Sequence, residues 1–200
     1  MSIAKQNGAN PIKRICVFCG VNRGAKPAYT EAAEALGLSL SKRGSGLVYG
    51  GTRLGMMGAI ADAVLAQGGE VIGVIPEFLT PIAHEKLTQL HVANSMHEQK
   101  QLMSDLADAF LALPGGFGTF DELCEIATWS QLGLHRKPCG VLNVEGYYDA
   151  LLSLFDHAVR ERFLHPGHRD MILRETDPDR MLDALLSHSP PIINKRLDGD

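Results

Sequence analysis

Short apolar runs alternate along this chain with amphipathic segments of helix length. The runs are rich in Val, Leu, Ile or Phe and do not alternate with polar residues, which is typical of strands buried on both faces of a parallel sheet. Five runs fit this description, at residues 15–19, 46–49, 70–75, 109–113 and 138–144. Residues 87–92 form a weaker candidate for an additional strand.

The segments between the runs have the end signals of helices. Proline in a first turn, Ser/Thr-x-x-Glu capping boxes and a glycine after a last turn predict helices over 27–43, 57–67, 96–107, 119–132, 147–163 and 178–187. The start signals are Pro27, Ser95 with Glu98, Thr119 with Glu122, and Asp177 before Pro178, and the stop signals are Gly44 and Gly68.

Alternating strands and helices predict one α/β domain, a doubly wound and mostly parallel sheet with helices on both faces. We expect this domain to cover residues 12–188, between a flexible lead-in at 1–11 and a tail at 189–200.

The predicted helix 119–132 carries apolar residues on two faces, with Phe120, Leu123, Cys124 and Ala127 on one and Ile126, Trp129 and Leu132 on the other. A helix that covers a sheet needs only one apolar stripe, so the second stripe needs a second partner. That partner is either a neighbouring helix of the same chain or a second subunit, which would make the protein a homodimer.

The composition gives no electrostatic reason to expect a nucleic acid polymer or an anionic membrane as partner, because the net charge of the 200 residues is −4. No apolar run reaches the roughly 18 residues of a membrane span, and the polar N-terminus does not resemble a signal peptide. Four cysteines are too few and too scattered for a disulfide scaffold. We therefore expect a cytoplasmic protein with free thiols.

Three predicted strands end in glycine-rich turns, at residues 19–24, 50–58 and 114–119. Ligands of open parallel sheets lie outside the carboxyl ends of the strands, where these turns would be. The turn 114–119 leads directly into a helix, and the free N–H groups of a helix start attract an anion such as a phosphate. The simpler alternative, in which Thr119 and Glu122 merely cap each other, leaves three glycines in four positions unexplained.

Other known site patterns fit poorly. No Gly-Lys-Ser/Thr follows a turn, and the glycine spacing is not that of a dinucleotide-binding fingerprint. Cys16 and Cys19 lie in a strand and are expected to be core residues, and residues 165–168 (His-Pro-Gly-His) suit a surface loop better than a metal site. Lys100 has no surrounding pattern of a pyridoxal enzyme, so we expect neither a metal nor an organic cofactor.

Residues 114–122, Pro-Gly-Gly-Phe-Gly-Thr-Phe-Asp-Glu, match the Pro-Gly-Gly-x-Gly-Thr-x-x-Glu signature of the LOG (Lonely Guy) family. Further matching pieces, in order and at natural spacing, are residues 17–20, 49–58, 96–97, 129–133, 137–140 and 142–148. The chain thus resembles, over most of its length, the cytokinin riboside 5′-monophosphate phosphoribohydrolases, once labelled lysine decarboxylases.

The resemblance implies hydrolysis of the N-glycosidic bond of an adenine nucleoside 5′-monophosphate, which releases the base and ribose 5-phosphate. It implies that the glycine turn holds the 5′-phosphate and that Glu122 stabilises the oxocarbenium-like sugar or orients the attacking water. The expected nucleotide-binding residues are Gly115, Gly116, Gly118 and Thr119, with Gly20 and Gly51 from the other two turns. Met96, Lys100 and Thr128 match substrate-contact positions of the family, and Lys100 is expected to be a cation for the ribose or the phosphate.

The chain departs from the family pattern at one position. The family has Met-His-x-Arg-Lys where this chain has Met96-His97-Glu98-Gln99-Lys100, so Gln99 replaces the arginine that is usually paired with the catalytic glutamate. Glutamine forms hydrogen bonds but supplies no fixed positive charge. Three alternatives stay open: impaired catalysis, a non-catalytic nucleotide-binding or sensor protein, and a lyase or decarboxylase with a pyridoxal absorbance band. Residue 99 could also be a solvated polar position where arginine and glutamine are interchangeable.

Overall fold

Seven strands form one sheet in the computed structural model, which describes residues 12–188 and Pro190. The strands are β1 (Arg14–Phe18), β2 (Gly46–Tyr49), β3 (Val71–Pro76), β4 (Gln89–Ala93), β5 (Ala109–Ala112), β6 (Cys139–Leu142) and β7 (Ile172–Glu175). Their order across the sheet is β4-β3-β2-β1-β5-β6-β7, and all six neighbouring pairs are parallel. The prediction of a doubly wound parallel sheet is confirmed.

Helices cover both faces of the sheet. They are α1 (Pro27–Lys42), α2 (Gly55–Ala66), α3 (Met96–Leu106), α4 (Phe117–Gln131), α5 (Asp149–Arg160), α6 (Pro166–Arg169) and α7 (Pro178–Ser187). One buried cluster joins β-strand side chains to α1, α2 and α7, and a second joins the opposite face to α3, α4 and α5. Because both faces are covered, side chains of the central strands are buried on both sides, and this explains why these runs do not alternate.

Several predicted helix ends are confirmed at the level of single contacts. Gly44 and Gly68 take the left-handed conformation, with φ of 69° and 71°. The Ser95 hydroxyl accepts a hydrogen bond from the Glu98 N–H at 3.2 Å, and the Asp177 carboxylate caps α7 in the same manner. In a capping box the Glu98 carboxylate would accept from the N–H of Ser95. Here it accepts instead from the N–H of the preceding residue, Asn94, at 2.8 Å.

Other predicted elements are wrong in part. The strand β7 was not predicted, since it is only four residues long and is only partly buried at the edge of the sheet. The helix predicted over 147–163 is shorter, and residues 165–168 are not a simple loop, because His165 caps the short helix α6 and His168 is buried. The candidate strand 87–92 is present as β4, at the other edge.

The apolar stripes of α4 also differ from the prediction. Ile126 is buried, and Trp129 packs against the same core cluster as Leu123, so this chain itself covers most of the predicted second stripe. Leu132 stays exposed. The second stripe therefore gives little support for a subunit interface.

A membrane-spanning helix, which needs a long and strongly apolar segment, is not found within the described residues.

Candidate active site

The first and third glycine-rich turns meet at the centre of the sheet. The chain order reverses between β1 and β5, and the crevice at such a switch point is where doubly wound sheets bind ligands. The N–H of Gly20 donates to the carbonyl of Pro114 at 3.0 Å, and the carbonyl of Gly20 accepts from the N–H of Met56 at 3.2 Å. Gly20 therefore joins the turn 114–119 to the start of α2.

The N-terminus of α4 lies in this crevice without a side-chain cap. The N-cap residue is Gly116, no side chain among residues 12–188 accepts a hydrogen bond from the first turn, and the first turn contains no acidic residue. Thr119 is the third residue of the helix and is buried. The predicted capping box of Thr119 with Glu122 is therefore wrong, and the N–H groups of the first turn are free of side-chain acceptors.

The three glycines of the turn serve different purposes. A Cβ on Gly115 would collide with the Thr119 side chain and with the N–H of Gly20, so close packing requires glycine there. A Cβ on Gly116 or Gly118 would meet no atom of the described structure within 4 Å, and neither residue has a positive φ. The fold itself does not require glycine at these two positions, and the absence of a side chain leaves the space above them open to a ligand.

Glu122 lies in the next turn of α4 and is buried, with 8% of its surface exposed. Burial, together with the negative charge of Asp121, raises the pKa of Glu122 to about 8, against the lowering effect of Lys100. Its carboxyl group is therefore mostly neutral at pH 7. A buried carboxyl group with a pKa near the working pH is suited to acid–base chemistry beside the phosphate site.

Lys100 connects α3 to α4. Its ammonium group lies 2.9 Å from a carboxylate oxygen of Asp121 and 3.0 Å from one of Glu125. Burial lowers the pKa of Lys100, but the hydrogen bonds to the two carboxylates outweigh this effect and raise it above its ordinary value. The expected ribose or phosphate cation is thus already neutralised by two carboxylates of α4.

Gln99 is buried, with 4% of its surface exposed, so the alternative of a solvated polar position is wrong. Its Nε2 donates to the carbonyl of Val74 at 2.8 Å, within β3, and this bond fixes the orientation of the amide. Its Oε1 is buried and has no hydrogen-bond partner among the described residues. Gly50, of the second glycine-rich turn, lies beside the amide, since a Cβ there would be 3.9 Å from Nε2.

The remaining predicted positions are spread more widely. Met96 is 41% exposed at the first residue of α3. Gly51 has a positive φ of 75° and its carbonyl accepts from the N–H of His84, so part of its backbone is already used. Thr128 lies nine residues beyond Thr119 along α4, about 13 Å at the rise of a helix, and its hydroxyl donates to Cys124. The structure does not bring Thr128 to the glycine turn.

Two tyrosines at the site were not predicted as functional residues. The hydroxyl of Tyr147 donates to the carbonyl of Gly115, and that of Tyr148 donates to the carbonyl of Leu113 at 2.6 Å. Their only signal in the sequence was their place in the matching segment 142–148. No cluster of three or more His, Cys, Asp or Glu side chains that could hold a metal occurs in the part of the chain that the structure describes.

Solved structures of similar fold extend over nearly the whole chain. The molybdenum cofactor binding protein of Rippkaea orientalis aligns with a TM-score of 0.69 and 20% identity, over 89% of this chain and 98% of that one. The molybdenum cofactor carrier protein of Chlamydomonas reinhardtii aligns with a TM-score of 0.67 and 18% identity, over 88% and 99%. At this identity the likeness shows the fold alone.

Sequence relatives are much closer. A cytokinin riboside 5′-monophosphate phosphoribohydrolase of Rhodococcoides fascians is 47% identical over 178 residues, which cover 88% of this chain and 90% of that protein. The enzyme of the same name, LOG7, of Arabidopsis thaliana is 47% identical over 180 residues, 89% of this chain and 83% of that protein. A family model described as possible lysine decarboxylase matches residues 57–185. The chain therefore belongs to the LOG family, whose curated members carry the name cytokinin riboside 5′-monophosphate phosphoribohydrolase.

Proposed function

We propose that this protein hydrolyses the N-glycosidic bond of adenine-type nucleoside 5′-monophosphates, either AMP or a cytokinin riboside 5′-monophosphate. One observation carries the proposal: the uncapped start of α4 has two glycines that the fold does not require, and a buried carboxyl group follows one turn later. The names of the relatives, at 47% identity, support the same substrate class.

In this proposal the 5′-phosphate occupies the space above Gly116 and Gly118. The N–H groups of the first turn of α4 donate to its oxygens, and the helix dipole favours its negative charge. Because Lys100 is held by Asp121 and Glu125, the backbone supplies most of the attraction. Nucleosides without the phosphate would leave this part of the site empty.

The sugar then lies towards Glu122. The bond between C1′ and the base nitrogen breaks, the hydroxyl of a water molecule adds to C1′, and the base leaves with a proton. Ionised Glu122 stabilises the positive charge that develops on the sugar and orients the water. Gln99 approaches from α3 and offers an amide in place of the family arginine, so it adds no positive charge to the transition state.

A non-catalytic nucleotide-binding protein is the second candidate, and Gln99 is the observation that favours it. Position 99 has no arginine, and Lys100 is paired with two carboxylates. Neither residue therefore offers an unpaired positive charge to the ligand. Binding needs only the backbone groups of α4, whereas turnover needs the transition state to be stabilised as well.

Incubation with AMP and with isopentenyl-AMP, followed by chromatography for free base, separates the two candidates. We expect free base and ribose 5-phosphate in equal amounts, with no base released from adenosine. Matched incubations with Glu122→Gln control for contaminating hydrolases. Binding of AMP without any release of base would establish the non-catalytic candidate instead.

We also propose that the protein is a homodimer, through an apolar cleft between α4 and α5. The cleft has a volume of about 270 Å³, and Cys124, Thr128 and Phe155 are among its lining residues. Phe163, at its edge, is 86% exposed. Sedimentation equilibrium should give twice the mass of one chain, and Phe163→Glu should reduce the measured mass to that of a single chain. A monomer at micromolar concentration would contradict this part of the proposal.

A further inference from the structure

Three consecutive carbonyl groups at the start of the glycine-rich turn 114–119, those of Leu113, Pro114 and Gly115, accept hydrogen bonds from distant parts of the chain. The bonds are from the Tyr148 hydroxyl to Leu113 at 2.6 Å, from the Gly20 N–H to Pro114 at 3.0 Å, and from the Tyr147 hydroxyl to Gly115. A turn of this kind has no internal ladder to fix its peptide planes. These external donors fix them instead.

Both tyrosines belong to the connection between β6 and α5, which is itself held rigidly. Asn143 is buried, accepts from the N–H of Tyr148 at 2.7 Å and donates to the Asp149 carboxylate at 2.8 Å. Glu145, with a positive φ of 53°, bonds to Lys26 at 2.9 Å, next to the start of α1. The hydroxyl groups are therefore presented from a fixed frame and not from a free loop.

The ring of Tyr147 also packs on the helix that follows the turn. It stacks on Phe120 of α4, with centroids 6.4 Å apart and planes 17° apart. Its edge contacts with Tyr29 and Tyr148 have centroid distances of 5.9 and 5.3 Å. Ring packing and the hydrogen bond to Gly115 are separable, because only the bond needs the hydroxyl group.

A trans peptide is planar, so its C=O and the N–H of the next residue point in opposite directions. The hydroxyl that holds the carbonyl of Gly115 therefore also sets the direction of the N–H of Gly116, the N-cap residue of α4. A carbonyl that accepts a hydrogen bond also polarises its own peptide and strengthens the N–H as a donor.

We propose that Tyr147 is a positioning residue that holds the Gly115–Gly116 peptide with its N–H directed at the 5′-phosphate. This inference rests on the proposed function, since it takes a phosphate at the start of α4 as the ligand. Tyr147 does not contact the reacting atoms, so its effect is on the binding of the phosphate and not on the chemical step.

The test is calorimetry of AMP, adenosine and inorganic phosphate with Tyr147→Phe, which keeps the ring and removes only the hydroxyl. We expect AMP and phosphate to bind about three- to ten-fold more weakly, as for the loss of one neutral hydrogen bond, and adenosine to bind as before. If the protein turns over AMP, KM should rise by the same factor and kcat should stay within about two-fold.

Tyr29→Phe is the matched control, because its ring touches that of Tyr147 and its hydroxyl bonds to no residue in the described structure. It should leave all three affinities unchanged. An unchanged ratio of AMP to adenosine affinity in Tyr147→Phe, with the folded state verified by thermal melting, would overturn the inference while the proposed function stands. Equal binding of AMP and adenosine by the unaltered protein would instead remove the proposed function itself.

Discussion

The helices α3 and α4 both begin at the carboxyl edge of the sheet, but only α3 has side chains that cap its N-terminus. At α3, the Ser95 hydroxyl and the Glu98 carboxylate accept hydrogen bonds from N–H groups of the chain itself. At α4, the cap is a glycine, no side chain of the described residues bonds to the first turn, and no acidic residue lies in it. The positive end of α3 is therefore compensated from within, whereas that of α4 is left for a ligand.

The difference shows that the same local rule can serve folding at one helix and binding at another. Capping stabilises a helix by about 1 kcal/mol, so an uncapped start is a loss that some other benefit must offset. At α4 the fold replaces the cap with external bonds to the carbonyls of the preceding turn, from Gly20 and two tyrosines. The changes below would either break this contrast or sharpen it.

The largest effect is expected for Glu122→Gln, which keeps the open helix end but removes the acid group beside it. Turnover of AMP should fall by about 10²–10⁴-fold, while AMP affinity stays within about three-fold. Because burial raises the pKa of Glu122 to about 8, its ionised fraction grows as the pH rises through 8. If the carboxylate is the active form, the rate of the unaltered protein rises from pH 6 through 8 and levels off only above about pH 9. A folded Glu122→Gln as active as the parent would remove the catalytic role.

The next largest effect is expected for Gln99→Arg, which places a cation in the first turns of α3, beside the second glycine-rich turn. Glycosidase activity should rise by about ten-fold to a thousand-fold. One preorganised charged donor contributes about 3–4 kcal/mol at a transition state, and the amide of Gln99 already supplies part of this by hydrogen bonding. The pH at which the rate levels off should move down, because a cation lowers the pKa of Glu122.

The matched control is Gln101→Arg, which adds the same charge at an exposed position of the same helix. It should change the rate by less than about two-fold. Equal rates for Gln99→Arg and the parent, with both folded and binding AMP, would mean that the arginine's role has moved elsewhere or that the protein is not a hydrolase.

A side-chain cap at the N-terminus of α4, like the one at α3, should remove most of the phosphate binding. In Gly116→Asp the carboxylate can accept from the first turn, and the space around a Cβ there is empty. We expect AMP affinity to fall about 10- to 100-fold and stability to increase by about 0.5 kcal/mol. Gly116→Asn supplies a cap without the charge and should weaken AMP less. Denaturant unfolding and calorimetry on both variants check this, and unchanged AMP affinity in Gly116→Asp would place the phosphate elsewhere.

Removing the N-cap of α3 should have the smallest effect on AMP binding. Ser95→Ala removes the cap of α3 and should lower the free energy of unfolding by about 1 kcal/mol. AMP affinity should change by less than about two-fold, because Glu98 still compensates this helix end. A large loss of AMP affinity in Ser95→Ala would show that the start of α3 contributes to the phosphate site as well.

Local patterns predicted the buried central strands and most helix ends, since apolar runs, capping residues and glycine stops act over a few positions. The same reasoning misplaced the start of α4. Thr119 and Glu122 have the spacing of a capping box, but the helix begins two residues earlier because Gly20 and Tyr147 hold the turn from distant parts of the chain. Contacts across such separations leave no local signal, and this is why the tyrosines were missed. The replacement at Gln99 was visible in the sequence, whereas its burial and its bond to Val74 depend on the packing of α3 against β3.

Calorimetry of AMP and of adenosine with the unaltered protein tests most directly whether the uncapped start of α4 binds a 5′-phosphate. Several charge-assisted hydrogen bonds to the phosphate should make AMP bind about 100-fold or more tightly than adenosine. The preference should weaken with added inorganic phosphate, which competes for the same N–H groups. Equal affinities for AMP and adenosine would contradict a phosphate site at this helix end.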